Sequence, residues 1–457
     1  MIHQNIFKKS LFFLICLSAL GAFISDTAIA QTSDTATGGV QRLEIPSTFN
    51  PVGSGARALG MGSAFIAVAD DATAASWNPG GLIQLGRPEV SVVGAFFHRT
   101  EENEFGTNTE ASGEQRVDAE NINYFSASYP FALFNRNMIL SLNYQHLFDF
   151  TREWNFPIIE RSTRTSAIWD FRYKQSGSLS ALGLAYCIQM TPRVSFGFTL
   201  NFWEDWLKDN SWEQNRYRKI TTIDHLENVM STDEYSIWSK YSFSGFNANL
   251  GVLWNINEKL TLGAVFKTPF TADLKHEFAS EYSLIDPGLS YDSSVSSTED
   301  QKLDMPMSYG IGVAYRFSDR LTVSADICRT EWQDFLIEDS EGNKTCPISD
   351  RPVEESDVHA THQVRIGAEY LFFDPARSKY VIPLRCGVFY DPAPAEGSPD
   401  NFYGFSLGSG IAVGKFVLDI AYQYRFGKDV GTYILQNREF SQDVREHALY
   451  SSVIIHF

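Results

Sequence analysis

The chain has no long apolar run beyond its first thirty residues. After Ile24 nothing reaches the about 18 consecutive apolar residues that a spanning helix requires, so a helical membrane protein is excluded. Cysteine is scarce: 5 in 457 residues, with Cys16 inside the N-terminal apolar stretch. The other four, Cys187, Cys328, Cys346 and Cys386, are too widely spaced for a zinc site or a dense disulfide framework. They read as isolated buried thiols, with pairing of Cys328 and Cys346 left open. Cationic residues are in deficit, 37 Lys+Arg against 55 Asp+Glu for a net charge of −18, which argues against nucleic acid as a partner. Pro/Gly/Ser linkers and 20–50-residue repeats are missing as well, so one large architecture fits better than several domains. Gly60-Met61-Gly62 does not open a dinucleotide fingerprint, because no strand precedes it and Phe65 stands where the third glycine belongs. No Gly-Lys-Ser/Thr follows either. No cofactor and no metal are expected.

Residues 1–30 read as a secretory signal. Lys8 and Lys9 precede an apolar core over 11–24, and Ala28-Ile29-Ala30 supplies a small-residue cleavage site after Ala30. From Glu89 onward the hydropathy period is two. Phe416, Leu418, Ile420, Tyr422, Tyr424 and Phe426 alternate with Val417, Asp419, Ala421, Gln423 and Arg425. Stretches 194–202, 246–254 and 321–327 do the same, and such alternation puts one set of side chains on each face of a strand. A soluble sandwich alternates too, so strand length, connections and the chain end must discriminate.

Fourteen strands are expected, at 88–98, 121–131, 136–148, 175–189, 193–206, 239–254, 259–279, 301–317, 320–332, 362–373, 380–391, 402–413, 415–427 and 446–457. Most span the about 9–11 residues that a tilted strand needs to cross hydrocarbon. Short connections (190–192, 255–258, 318–319, Gly414) alternate with long ones (99–120, 149–174, 207–238, 333–361, 428–445), the pattern of outer-membrane barrels. Trp203, Trp206, Trp254, Trp332, Tyr380, Phe389, Tyr390, Phe402 and Tyr403 fall near strand ends. Interface girdles account for that, as does the plain β-propensity of aromatics. Leu449, Val453, Ile455 and the terminal Phe457 share one face, which resembles the signal read by the barrel-assembly machinery. The fold expected is all-β, a 14-stranded antiparallel transmembrane β-barrel over 88–457, with outer-membrane lipid around it.

The stretch from Gly53 to Leu82, GSGARALGMGSAFIAVADDATAASWNPGGL, is unlike the rest. Its small residues permit close approach. Asp70 or Asp71 is placed to cap a short helix over 72–77, which Asn78 before Pro79 ends. Residues 31–87 are expected to form a plug in the barrel. This stretch resembles the N-terminal region of the FadL/TodX family of outer-membrane transporters, in Asp70-Asp71-Ala72 and Asn78-Pro79, with Gly55, Arg57, Gly60, Gly62 and Gly80 completing the motif. Gly80 stands where the family usually has alanine. The resemblance implies an N-terminal hatch inside a fourteen-stranded barrel and passive uptake of long-chain fatty acids or aromatic hydrocarbons.

Ligand-binding candidates are the inward aromatics Trp203 and Phe389, with Lys267, Arg385 and Arg425 as cations for a carboxylate. For each cation the competing reading is pairing with a lumenal acid such as Asp419 or Asp326. A second functional class is an accessory barrel in protein secretion, like FadL-like proteins of the PorV type, with the polar stretches 207–238 and 333–361 as partner-binding loops. A general porin fits less well because of the plug. An enzyme fits least: His447 and His456 lie near the serines of the last strand, but no Ser/His/acid spacing recurs and the pattern shows no lipid-facing triad.

Overall fold

The computed structural model describes residues 53–204, 210–373 and 379–457. The signal segment, its cleavage site, residues 31–52 and Trp206 lie outside the described residues. Fourteen antiparallel strands close into a barrel: β1 (Glu89–Phe105), β2 (Gly113–Leu133), β3 (Arg136–Asp149, continued by Arg152–Arg161), β4 (Thr165–Thr191), β5 (Val194–Trp203 and Ser211–Asp224), β6 (Val229–Asn255), β7 (Leu260–Lys267 and Phe270–Asp286), β8 (Leu289–Met305 and Ser308–Arg316), β9 (Leu321–Thr330), β10 (Thr361–Phe372), β11 (Tyr380–Tyr390), β12 (Phe402–Val413), β13 (Phe416–Val430) and β14 (Phe440–His456). Each pairs with the next. The ring closes where β1 meets β14, from Glu89 opposite His456 to Phe105 opposite Phe440. Closure leaves no sheet edge in lipid, where an unpaired N–H or C=O has no water to bond.

Alternation sorts the two faces. On β13, Phe416, Leu418 and Ile420 face outward while Asp419, Ala421 and Arg425 are buried inward. On β5, Phe196 and Phe202 face outward, against Ser195, Thr199, Asn201 and Trp203 inside. Trp254, Tyr380 and Tyr403 stand exposed at the rims, as interface girdles require. Trp203, Trp332, Phe389 and Phe402 do not: all four are buried inside. All four sit at or beside strand ends, but at inward positions of the alternation, which turns their side chains into the lumen.

The wall is tall on one side. β4 and β6 each run 27 residues, more than twice what the hydrocarbon needs. The stretches 99–120, 149–174 and 207–238, expected as long loops, are largely strand, and 428–445 is half strand. They still alternate, as in Trp154, Phe156 and Ile158 buried inside. Above the membrane, however, the outward set is charged rather than apolar, so the hydropathy contrast that marks a lipid-facing strand fades. Stretch 333–361 does remain irregular, with short strands Leu336–Glu338, Lys344–Cys346 and Arg351–Pro352. Cys346 and Ile348 from this stretch pack with Ala393, Tyr433 and Ile434 over the outer mouth. Cys328 and Cys346 are separate free thiols.

Ile311 is an outward residue between Tyr309 and Tyr315 on β8, more exposed than either, on the apolar band that faces lipid. Ile311→Arg is expected to cost about 2–4 kcal/mol, read by reversible urea unfolding in phospholipid vesicles. A loss below about 1 kcal/mol would place this face outside the hydrocarbon.

Candidate functional site

Residues 53–85 lie inside the barrel and are almost entirely buried. They form a helix over Ala56–Gly60, a short helix over Ala74–Trp77 and a 3-10 turn over Pro79–Gln84. The Asp71 carboxylate accepts from Thr73 N at 2.9 Å and from the Thr73 hydroxyl, shaping the turn into the second helix. Asp70 instead pairs with Arg57. Asn78 ends the helix, and its Oδ1 accepts from Gly80 N at 3.0 Å.

So short and irregular a segment leaves many backbone groups without helical or ladder partners, and buried ones must be paired. Inward-facing wall residues supply the partners. Asp326 accepts from Phe65 N and Ile66 N, at 2.6 and 2.9 Å. Glu89 accepts from Ala72 N at 2.9 Å, and the Tyr124 hydroxyl donates to Ala72 O at 2.7 Å. Ser195, Thr199 and Ser324 donate to Gly80 O, Ala75 O and Ala64 O, at 2.7, 2.7 and 2.6 Å. Ser406 takes a bond from Gly62 N at 2.7 Å and gives one to Gly60 O at 3.1 Å. From the segment's side, Asn78 Nδ2 reaches across to Val252 O at 2.9 Å.

Close approach needs bare wall. A belt of wall glycines faces the segment: Gly197 opposite Gly251, Gly263 opposite Gly312, Gly367 opposite Gly387, and Gly408. A side chain at Gly197 would strike Pro79, one at Gly263 would strike Ile66, and one at Gly367 would strike Met61. On the segment's own side Gly60 abuts Gly408 and Gly62 abuts Gly387.

Charge joins the two parts as well. Arg57 Nη2 bonds Glu369 at 2.8 Å; Glu369 meets Arg385 at 2.6 Å, and Arg385 meets Asp419 at 2.6 Å. Burial works against the Arg57 charge, yet Asp70 and Glu369 hold its pKa well above the ordinary arginine value. Burial pushes the Asp71 carboxyl up, against the pull of Arg57. A second ladder runs higher in the lumen through Arg365, Asp391, Arg425, Glu446, Arg99, Glu101 and Arg152.

Above the segment is a cavity of about 130 Å³. Its floor includes Ile66 and Trp77, and its walls include Phe148, Trp203, Phe270, Met305 and Trp332. Four carboxamides, Gln145, Asn201, Asn247 and Asn249, line one side, and Trp203 Nε1 donates to Asn247 at 2.9 Å. The cavity extends to Thr268, Pro306, Ser308 and Tyr309. There β7 breaks between Lys267 and Phe270 and β8 between Met305 and Ser308, side by side in the sheet. Pro269 and Pro306 sit in the breaks, where a residue without N–H interrupts the ladder.

Of the expected ligand-binding residues, Trp203 and Lys267 share this cavity. Arg385, Phe389 and Arg425 do not line it. Arg385 is held by two carboxylates; Arg425 pairs with Asp391 at 3.2 Å and Glu446 at 2.8 Å and lies 3.7 Å over the Phe402 ring. Among the described residues no carboxylate pairs with Lys267, whose ionisable neighbours are Cys328 and Arg365.

The family described as outer membrane protein transport protein (OMPP1/FadL/TodX) matches residues 48–449. The chain belongs to this family. No curated protein matches it. Among solved structures, this FadL/TodX member is similar to the toluene transporter TodX of Pseudomonas putida, at 13% identity over 89% of this chain and 99% of that one, with a TM-score of 0.59. It is similar to the CymD monoaromatic hydrocarbon channel, at 16% over 90% and 99%, TM-score 0.52. It is also similar to the toluene transporter TbuX of Ralstonia pickettii, at 14% over 90% and 100%, TM-score 0.50. Identities this low speak for the fold. Family and barrel together make the chain an outer-membrane transport protein.

The sequence reading missed the wall glycines, although Gly197, Gly251, Gly263, Gly312, Gly367, Gly387 and Gly408 all sit at inward positions of alternating strands. Gly367→Val is expected to leave the barrel folded, judged by heat-modifiable electrophoretic mobility, while residues 53–85 become protease-sensitive and single-channel conductance rises. Unchanged conductance would show that the belt does not seat the segment.

Proposed function

We propose that this transporter carries hydrophobic small molecules passively across the outer membrane, with residues 53–85 as a fixed plug. The observation that carries this reading is the cavity between Trp203, Phe270, Trp332 and Lys267. An aromatic wall facing a wall of carboxamides, with Lys267 at the margin, suits a ligand with an apolar body and one polar end. Its size is close to the about 150 Å³ cavity known to take a benzene ring. Monoaromatic compounds, which the similar TodX and CymD channels carry by their names, fit that space, and Lys267 adds a seat for an acid group.

Entry runs down the tall side. Its inner face carries stacked rings, Phe150 on Trp212 on Tyr241 on His276, with centroids 4.7, 4.8 and 4.3 Å apart. These hand over to Trp203, Phe243 and Phe270 at the cavity. Downward exit is opposed by the many bonds holding the plug. The breaks at Pro269 and Pro306 offer a way through the wall. Assembly into the membrane uses the terminal strand ending at Phe457, and the leader is removed after Ala30.

Binding is tested by calorimetry on the barrel in lipid nanodiscs. Trp203→Ala is expected to weaken an alkylbenzene and an aromatic carboxylate about tenfold, about 1.4 kcal/mol each. Lys267→Met should weaken only the carboxylate, by a similar factor. If both variants bind both ligands as the parent does, the cavity is not the binding site.

A further inference from the structure

The outer face of β1 and β2 carries a side-chain constellation that transport does not use. His98 Nδ1 lies 2.6 Å from Asp118 Oδ1, and His98 Nε2 lies 3.4 Å from the Thr100 hydroxyl. Sheet geometry brings them together. His98 and Thr100 are two apart on one strand and so share a face, and Asp118 is directly opposite His98 on β2. Hydroxyl, imidazole and carboxylate stand in the order of a nucleophile, its base and the group that orients the base, which is recognised by geometry and not by chain order. With Nδ1–H given to Asp118, Nε2 keeps its lone pair for the hydroxyl proton. The longer 3.4 Å separation is of the kind seen before a substrate is bound.

The surroundings suit acyl transfer. Thr100 has Arg116 opposite on β2 and Arg445 opposite on β14, all on one face. Each guanidinium is already paired with a carboxylate of the same face, Arg116 with Glu114 at 2.5 Å and Arg445 with Glu102 at 3.4 Å, so an oxyanion at Thr100 would draw on their remaining N–H donors. His447, opposite His98, packs its ring 5.9 Å away and is itself held by the Tyr422 hydroxyl at 2.7 Å. Height matters as much as contact. Below the group, Phe96 and Leu449 face lipid; level with it stand Tyr424 and Phe426 of the outer aromatic girdle. That level is the boundary between acyl chains and headgroups, where the ester bonds of membrane lipids lie.

We propose that Thr100, His98 and Asp118 form a lipid-facing acyl-ester hydrolase site on the outside of the barrel. The Thr100 oxygen attacks the ester carbonyl carbon while its proton passes to His98 Nε2. The carbonyl oxygen takes the negative charge beside Arg116 and Arg445. Collapse breaks the ester C–O bond, and His98 returns the proton to the departing alcohol. Water, activated in turn by His98, cleaves the acyl-threonine, releasing a carboxylic acid and restoring the hydroxyl. Acyl ester and water are the only reactants.

The test uses the purified full barrel in detergent micelles with 4-nitrophenyl octanoate. The expected result is hydrolysis that Thr100→Val and Asp118→Asn reduce about 10²-fold or more, while Thr100→Ser keeps it. Heat-modifiable mobility and unchanged ligand binding in the lumen show each variant folded, and they separate this outcome from that of the transport reading. Hydrolysis that persists undiminished in Thr100→Val, or a folded parent no faster than buffer, overturns the proposal.

Discussion

A buried polypeptide with only short helical turns and no sheet must find partners for the many backbone N–H and C=O groups that those turns leave unpaired. Residues 53–85 carry that demand into the barrel, and the wall is built to meet it. Asp326, Glu89, Tyr124, Ser195, Thr199, Ser324 and Ser406 all spend side-chain hydrogen-bonding capacity on main-chain groups of this segment. The wall glycines answer the companion requirement of space. Polarity and smallness on the inward face are therefore two consequences of one constraint, and they fall on the same strands as the outward Ile, Leu and Phe that face lipid.

The same constraint divides the lumen by chemistry. On the side of β10 to β14 and β1, arginines and carboxylates form closed ion-pair ladders, one of which fastens the segment through Arg57. Charges buried in this way are stable only when every member is partnered, and Arg365 of this half, paired with Asp391, also borders the cavity. The cavity forms against β3 to β10, between aromatic side chains and the carboxamides Gln145, Asn201, Asn247 and Asn249. Lys267 lies at its margin, next to the two proline breaks. A ligand route along the aromatic surface therefore ends beside the salt-bridged half, which it meets at Arg365.

Strand height adds a further division. Where β4 to β7 rise above the membrane, their inner faces keep aromatic residues such as Trp169, Phe171, Tyr173, Trp212 and Tyr241 while their outer faces turn polar. At the girdle between lipid and water, outward residues include histidine, aspartate and threonine as well as tyrosine and phenylalanine. Interfacial positions tolerate such side chains because one end meets water, and it is only there that a catalytic constellation can face lipid without burying an unpaired charge.

The sequence by itself determined the strand count, the direction each alternating residue faces and the family resemblance carried by Asp70-Asp71-Ala72 and Asn78-Pro79, because period-two hydropathy and local turn chemistry are written in neighbouring residues. It placed Trp203 and Lys267 inside the lumen for the same reason. It did not fix where strands end, since outward residues above the lipid lose their apolar mark. Nor did it say that Trp203 and Lys267 meet, that Arg385 and Arg425 are consumed by Glu369, Asp419, Asp391 and Glu446, or that Asp118 stands across from His98. Those facts depend on the register between strands and on closure of the ring, which bring together residues tens to hundreds of positions apart, and only the tertiary structure sets them.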